Sequence, residues 1–191
     1  TGDMVHFTNS PWTFSISALQ RALGLDYLHV YNDFAAIALS LPWLAPGDCR
    51  KIGGDKGRDG APIALAGPGT GLGVSAAIPG RDGSWIPLAS EGGHTTFAPG
   101  DAREATVLET LRRQFGRVSA ERVISGPGIE CLYGAITGGS GKESRISAAQ
   151  IVAHARDGEA AATETLEIFS RAFGAFAGDL VLTLGAWGGF Y

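Results

Sequence analysis

The densest group of residues suited to chemistry is the segment Gly67-Pro68-Gly69-Thr70-Gly71-Leu72-Gly73. Strand-like patterns flank it, so we expect a hairpin whose turn presents backbone N–H groups and the Thr70 hydroxyl. Phosphate oxygens can approach glycine closely because no Cβ blocks them. A plain β-turn remains the alternative. A dinucleotide fingerprint is excluded because Val74 occupies the last glycine position of GxGxxG, and the chain holds no Walker A loop.

A second candidate is the pair Asn32-Asp33, which precedes a predicted helix. Asp33 at that place is either the N-cap of the helix or a general base. As a base it would take the proton of a substrate hydroxyl while the oxygen attacks phosphorus. The Asn32 amide is both donor and acceptor, which suits sugar hydroxyls.

The third candidate is Glu91-Gly92-Gly93-His94, with Glu121 further along the chain. On a loop, Glu91 and His94 can point into one cleft and bind neighbouring hydroxyls, whereas a solvated turn is the alternative. A carboxylate-bridged metal pair would need a second ExxH on a helix, and a metal hydrolase using Glu91 and His94 remains a third class of function. Glu121 by itself is a carboxylate favoured at a helix start. Together these groups suit phosphoryl transfer to a polyhydroxylated substrate.

Charge and cysteine content exclude several classes of protein. The 191 residues carry a formal net charge of −4, the wrong sign for a nucleic-acid binder. Cys49 and Cys131 form neither a disulfide framework nor a zinc site, so we expect a reducing, cytoplasmic environment. The apolar residues 172–191 contain Asp179 and several glycines, which favours a buried helix running into a strand over a membrane span.

The positioning elements follow from the hydrophobic periods, and they predict a mixed α/β or α+β core without strict alternation. The strand patterns around the glycine-rich turn predict an antiparallel meander. The expected elements, in chain order, are a short helix from a Ser15 cap to Gly24, a strand over 27–31, a helix over 34–41, strands over 62–66, 72–78 and 85–88, helices capped by Asp101 and Ser119, a helix to Ile136 after a turn at Ser125–Gly128, a helix capped by Ser147 and a last helix from about Glu159.

Taken in order, the motifs closely resemble those of bacterial ATP-dependent glucokinases of the non-repressor type. The resemblance covers nearly the whole chain, and six motifs in sequence are more specific than any one. The matching segments are Thr8-Asn9-Ser10-Pro11-Trp12, Tyr31-Asn32-Asp33-Phe34, Gly67 to Val74, Glu91-Gly92-Gly93-His94, Ser119-Ala120-Glu121-Arg122-Val123 and Ser125-Gly126-Pro127-Gly128.

This resemblance implies an α/β, actin-like (ribonuclease H-like) hexokinase-type fold, with two lobes that close over glucose and Mg²⁺-ATP. Asp33 would be the general base for the glucose 6-hydroxyl. The resemblance also assigns the binding residues: Asn32, Glu91, His94 and Glu121 for the other sugar hydroxyls, and Gly69, Thr70 and Gly71 for the second phosphate loop.

Two family segments are absent from this sequence: an Asp-x-Gly-Gly-Thr-Asn phosphate loop and a glycine-rich adenosine segment. We therefore expect a fragment, with residues 1–43 ending the small lobe and residues 44–191 forming a large lobe that is incomplete at its C-terminus. A non-catalytic sugar-binding or regulatory homologue is the alternative function. We expect no nucleic-acid or membrane partner, and a homodimer is among the oligomeric states left open.

Overall fold

The computed structural model describes residues 2–7, 10–45, 47–138 and 146–191. Thr8 and Asn9 of the first matching motif lie outside the described residues. The chain divides into two compact units, Thr1–Asp33 and Phe34–Tyr191.

The first unit consists of a two-stranded antiparallel sheet and one short helix. Strand β1 (Met4–His6) pairs with β2 (Thr13–Ser15), and helix α1 (Ile16–Ala22) follows directly. The predicted cap is confirmed, since the Ser15 hydroxyl accepts a hydrogen bond from the N–H of Ala18 at 3.0 Å. Gly24 follows the helix with a φ of 64°, as expected of a residue just past a helix end.

The strand predicted over 27–31 is not formed. The aromatic rings at alternate positions do contact each other: Tyr27 and His29 are tilted at a centroid distance of 6.0 Å, and His29 and Tyr31 are stacked at 6.2 Å. Within the described ranges, however, no second strand pairs with this segment. The strand prediction is therefore wrong, because a strand needs a hydrogen-bonding neighbour in addition to an alternating pattern.

The second unit is built on a four-stranded sheet in the order β5-β4-β3-β6. The predicted antiparallel meander is confirmed, and β6 pairs in parallel with β3 at the other side. The strands are β3 (Ile63–Pro68), β4 (Leu72–Pro79), β5 (Trp85–Ser90) and β6 (Gly189–Phe190).

The β3–β4 hairpin is packed against the aromatic ring of Phe34 at a pair of facing glycines. Gly67 and Gly73 are cross-strand partners, and a Cβ on either would lie under 3.0 Å from ring atoms of Phe34. Phe34 belongs to α2 (Asp33–Ser40), which a 3-10 helix (Leu41–Trp43) continues. Ala38 and Leu41 pack there with the apolar side chains of β3 and β4.

The helices form the main hydrophobic core with the sheet. Its largest buried side chains include Leu111, Ile124, Leu132 and Ile168. The predicted Asp101 and Ser147 caps are confirmed. Ser125, predicted only as part of the turn before a helix, caps that helix. The predicted Ser119 cap is wrong, since that segment is a single 3-10 turn with no side-chain cap. The helices are α3 (Ala102–Phe115), a 3-10 helix (Ala120–Arg122), α4 (Gly126–Ile136), α5 (Ala148–Arg156) and α6 (Ala160–Leu184).

Helix α6 runs into β6, which confirms the helix-to-strand prediction for the C-terminal residues. Gly185 ends the helix with a φ of 60°, in the left-handed region that glycine enters without strain. Burial is confined to one face of this helix, where Ala162, Ile168 and Ala172 lie, so it is less buried than predicted. In the described part of the chain, no helix has the length and apolarity to span a bilayer.

Three helices are joined by one polar cluster. The Tyr133 hydroxyl of α4 donates a hydrogen bond of 2.6 Å to one carboxylate oxygen of Glu159, which precedes α6. The other oxygen of Glu159 lies 2.7 Å from Nδ1 of His154 in α5. The Tyr133 hydrogen bond, more than His154, lowers the pKa of Glu159, and the same bond raises the pKa of Tyr133.

We expect Leu132→Ala to lower the free energy of unfolding by about 2–5 kcal/mol, because it removes a fully buried side chain from the core. Urea denaturation measures this change. The matched control is Leu182→Ala in α6, whose side chain is 71% exposed and which we expect to cost less than about 0.5 kcal/mol. Equal effects of the two substitutions would contradict the described core.

We expect Tyr133→Phe to lower Tm at neutral pH and to do so less at both extremes of pH. The Glu159 contribution is present above the ordinary pKa of 4.5 and is lost as pH falls through the lowered folded value. The Tyr133 contribution is present below 10.0 and is lost as pH rises through the raised folded value. Calorimetric scans across pH measure the Tm difference and its loss at low and at high pH. The control is Tyr27→Phe, at an exposed position. A Tm difference independent of pH would rule out this hydrogen bond as the cause.

Candidate functional site

The loop after β5 and the segment before α4 are held together by backbone hydrogen bonds. The N–H of Ala120 donates to the Thr95 carbonyl at 2.8 Å, and the N–H of Phe97 donates to the Val118 carbonyl at 3.0 Å. Thr96 and Ser119 form an antiparallel bridge between them. This pairing brings the Glu91–His94 loop beside Glu121, although the two motifs are distant in sequence.

His94 lies between two carboxylates. Its Nε2 is 3.6 Å from Oε2 of Glu91, and its Nδ1 is 3.9 Å from Oε1 of Glu121. The exposed fraction of the side chain is 90% for Glu91, 58% for His94 and 32% for Glu121. These three predicted residues therefore form one cluster, with its polar atoms accessible to a ligand.

The glycine-rich turn at 69–71 reaches the same cluster through Glu121. Oε2 of Glu121 accepts a hydrogen bond of 3.0 Å from the N–H of Leu72, the first residue of β4. The N–H of Gly126, at the start of α4, donates to the Gly69 carbonyl at 2.9 Å. Two contacts thus fix the turn to the segment that contains Glu121.

The turn itself exposes hydrogen-bond donors. Its internal hydrogen bond joins the N–H of Gly69 to the Gly71 carbonyl at 2.8 Å. Within the described part of the chain, the N–H groups of Thr70 and Gly71 make no backbone hydrogen bond. Thr70 is exposed, so two amides and a hydroxyl are available for an anionic ligand.

A pocket of about 340 Å³ brings three of the predicted residues together. Thr70, His94 and Glu121 are the predicted site residues in its lining, and the other lining residues were not predicted to belong to the site. The lining residues are Thr70, His94, Arg117, Ser119, Glu121, Arg122, Ser125, Pro127, Gly128 and Cys131. A larger open groove, about 660 Å³, lies along α5 and α6, but none of the predicted site residues lines it.

Several of the lining residues have clear local roles. Arg117 donates a hydrogen bond to the His94 carbonyl and so fixes the His94 loop. The Arg122 guanidinium lies 4.0 Å from the centroid of the Phe115 ring, a cation–π contact. Burial raises the pKa of the Cys131 thiol. The sequence signals for this group are the Ser125 helix cap and its neighbouring glycines, whereas nothing local marks Arg117.

Asn32 and Asp33 belong to the first compact unit. Both are exposed, and Asp33 is the first residue of α2, close to the predicted N-cap position. Their role in sugar binding and proton transfer stays a prediction.

Comparisons with known proteins identify close relatives along the whole chain. The family model described as "Glucokinase" matches residues 1–191. The glucokinase of Paramagnetospirillum magneticum is 47% identical over 100% of this chain and 60% of its own length. The bifunctional protein glk of Paraburkholderia xenovorans is 48% identical over 100% of this chain and 30% of its own length. The chain therefore spans less than two thirds of the length of these relatives.

A solved structure agrees with the fold. The glucokinase from an Antarctic psychrotroph superposes with a TM-score of 0.89 and 38% sequence identity, covering 100% of this chain and 59% of that one. This likeness confirms the predicted α/β fold of the actin-like sugar kinases. From its sequence match over every residue and from this shared fold, the chain belongs to the glucokinase family.

Proposed function

We propose that this chain is part of a glucokinase, which transfers the γ-phosphoryl group of ATP to the 6-hydroxyl of glucose. The observation that supports this most is the shared pocket of Thr70, His94 and Glu121. A hydroxyl and two free amides suit phosphate oxygens, while a carboxylate and an imidazole suit sugar hydroxyls. One pocket with both kinds of group suits a phosphoryl donor next to a sugar acceptor.

In this proposal Asn32, Glu91, His94 and Glu121 bind the sugar hydroxyls that do not react. Asp33 takes the proton of the 6-hydroxyl as its oxygen attacks the γ-phosphorus, and ADP leaves with the bridging oxygen. The turn of Gly69, Thr70 and Gly71 binds phosphate oxygens. Mg²⁺ would enter with ATP, held mainly through the phosphate oxygens, and neutralise their charge; we assign it no protein ligand.

The resemblance also supports a lobe assignment, in which residues 1–43 end the small lobe and residues 44–191 form most of the large lobe. Closure of two lobes would exclude water, which competes with the sugar as the phosphoryl acceptor. We propose a cytoplasmic enzyme, since the two cysteines suit a reducing compartment.

Separate titrations with glucose and with ATP test the function against its alternative. A glucokinase is expected to bind both ligands and to form glucose 6-phosphate in a coupled assay. Glucose binding with no response to ATP, in calorimetry of the full-length protein, would instead support the non-catalytic sugar-binding homologue.

We expect Asp33→Asn to reduce turnover by about 10²-fold or more, because the general base is lost. Glucose affinity should stay nearly unchanged, since the amide still forms hydrogen bonds. The coupled assay gives the rate, and calorimetry gives the affinity. Asp26→Asn is the matched control, an exposed aspartate of the same unit that should leave the rate unaltered. A normal rate in Asp33→Asn would show that the base is wrongly assigned.

We expect Thr70→Val to raise the KM for ATP by about tenfold or more. A hydrogen bond to a charged group contributes about 1.5–3 kcal/mol, and each 1.4 kcal/mol is a factor of ten in affinity. Glucose affinity without nucleotide should not change. Thr183→Val, at an exposed position of α6, serves as the control. An unchanged KM for ATP in Thr70→Val would show that the Thr70 hydroxyl does not bind the phosphate.

A further inference from the structure

We propose that Gly71 is a positioning residue for the Glu121 carboxylate, so that the glycine-rich turn sets sugar affinity in addition to binding phosphate. The inference rests on the proposed function, in which Glu121 binds a sugar hydroxyl. It assigns to Gly71 a role that is independent of the phosphoryl donor.

The backbone at Gly71 does not itself require glycine, because its φ lies outside the left-handed region. The requirement comes from a side chain instead. A Cβ on Gly71 would lie 2.5 Å from Oε2 and 3.2 Å from Cδ of Glu121. Real Cβ atoms essentially never approach a heavy atom to 2.5 Å, so any larger residue at 71 must displace this carboxylate.

The carboxylate is held by a hydrogen bond at the oxygen that faces the turn. Its Oε2 accepts this bond from Leu72 N–H, and the backbone carbonyl of Glu121 accepts a bond of 2.7 Å from the Ser125 hydroxyl, which fixes the main chain from which the side chain extends. Displacement would break the Leu72 bond and would also move Oε1, which lies 3.9 Å from Nδ1 of His94. A hydroxyl held between Glu121 and His94 would then lose one of its partners.

A second close contact ties the His94 loop to the same residue of β4. A Cβ on Gly93 would lie 2.2 Å from the Leu72 carbonyl oxygen. The peptide groups on both sides of Leu72 therefore contact the two sugar-binding segments, one through Glu121 and the other through Gly93. The end of the turn and the sugar-binding side chains form one packed unit, in which a change at Gly71 is transmitted to the sugar site.

Gly69 provides a matched control within the same turn. A Cβ at this position meets nothing within 4 Å, and its φ is also outside the left-handed region. Gly69→Ala and Gly71→Ala therefore make the same chemical change two residues apart. Any effect of the added methyl group on phosphate binding can appear in both, whereas displacement of Glu121 is confined to Gly71→Ala.

The experiment measures glucose affinity by calorimetry without nucleotide, in the full-length protein, for the wild type, the two alanine variants, Glu121→Ala, and Gly71→Ala combined with Glu121→Ala. We expect Gly71→Ala to weaken glucose binding about tenfold, the effect of one lost or misaligned hydrogen bond of about 1.4 kcal/mol. Gly69→Ala should stay within about twofold. In the Glu121→Ala background, which removes the displaced side chain, the alanine at 71 should add little, because effects that act through one group are not additive.

Equal glucose affinities in Gly71→Ala and Gly69→Ala would overturn the proposal, as would full additivity with Glu121→Ala. If Gly71→Ala does not fold, we expect the double variant Gly71→Ala/Glu121→Ala to fold. It has no glutamate side chain at the place that the added Cβ occupies. A double variant of equally low Tm would also overturn the proposal. Failure of the wild-type chain to bind glucose would instead contradict the proposed function, so the two failures are distinct.

Discussion

The hydrogen bond from Leu72 N–H to the Glu121 carboxylate joins parts of the chain that are 49 residues apart. It connects the end of the glycine-rich turn to the segment that starts α4, and the N–H of Gly126 gives that turn a second contact at Gly69. A half-buried carboxylate that accepts a backbone donor is held in one orientation, which a ligand-binding group needs. The geometry of the pocket depends on this contact more than on any other single interaction.

The second requirement is the short antiparallel pairing that sets His94 beside Glu121. Thr95 and Phe97 pair with Ala120 and Val118 through backbone groups, so the register does not depend on which side chains occupy these positions. Arg117 adds a side-chain bond to the His94 carbonyl. His94 and Glu121 are thus placed by main-chain hydrogen bonds and by the core beside them, where Phe97 and Val118 are buried.

The glycines of the 67–73 motif show how sequence reasoning can find a feature and still miss its cause. Four glycines in one turn suggested space for phosphate oxygens, yet three of them lie against protein side chains. Gly67 and Gly73 accommodate the Phe34 ring, and Gly71 accommodates Glu121. Only Gly69 of the four faces open space. Close packing inside the protein therefore accounts for most of the glycine content of this motif.

The sequence by itself determined the local elements: the meander, the Asp101 and Ser147 caps, and the long helix that begins near Glu159, because caps, turns and hydrophobic periods act over a few residues. Order and type of the motifs also sufficed to indicate the family. The tertiary structure decided which candidates share a pocket, and it left residues 27–31 without a strand partner in the described ranges. Strand pairing and side-chain clustering depend on contacts between segments far apart in the chain, which no local pattern contains.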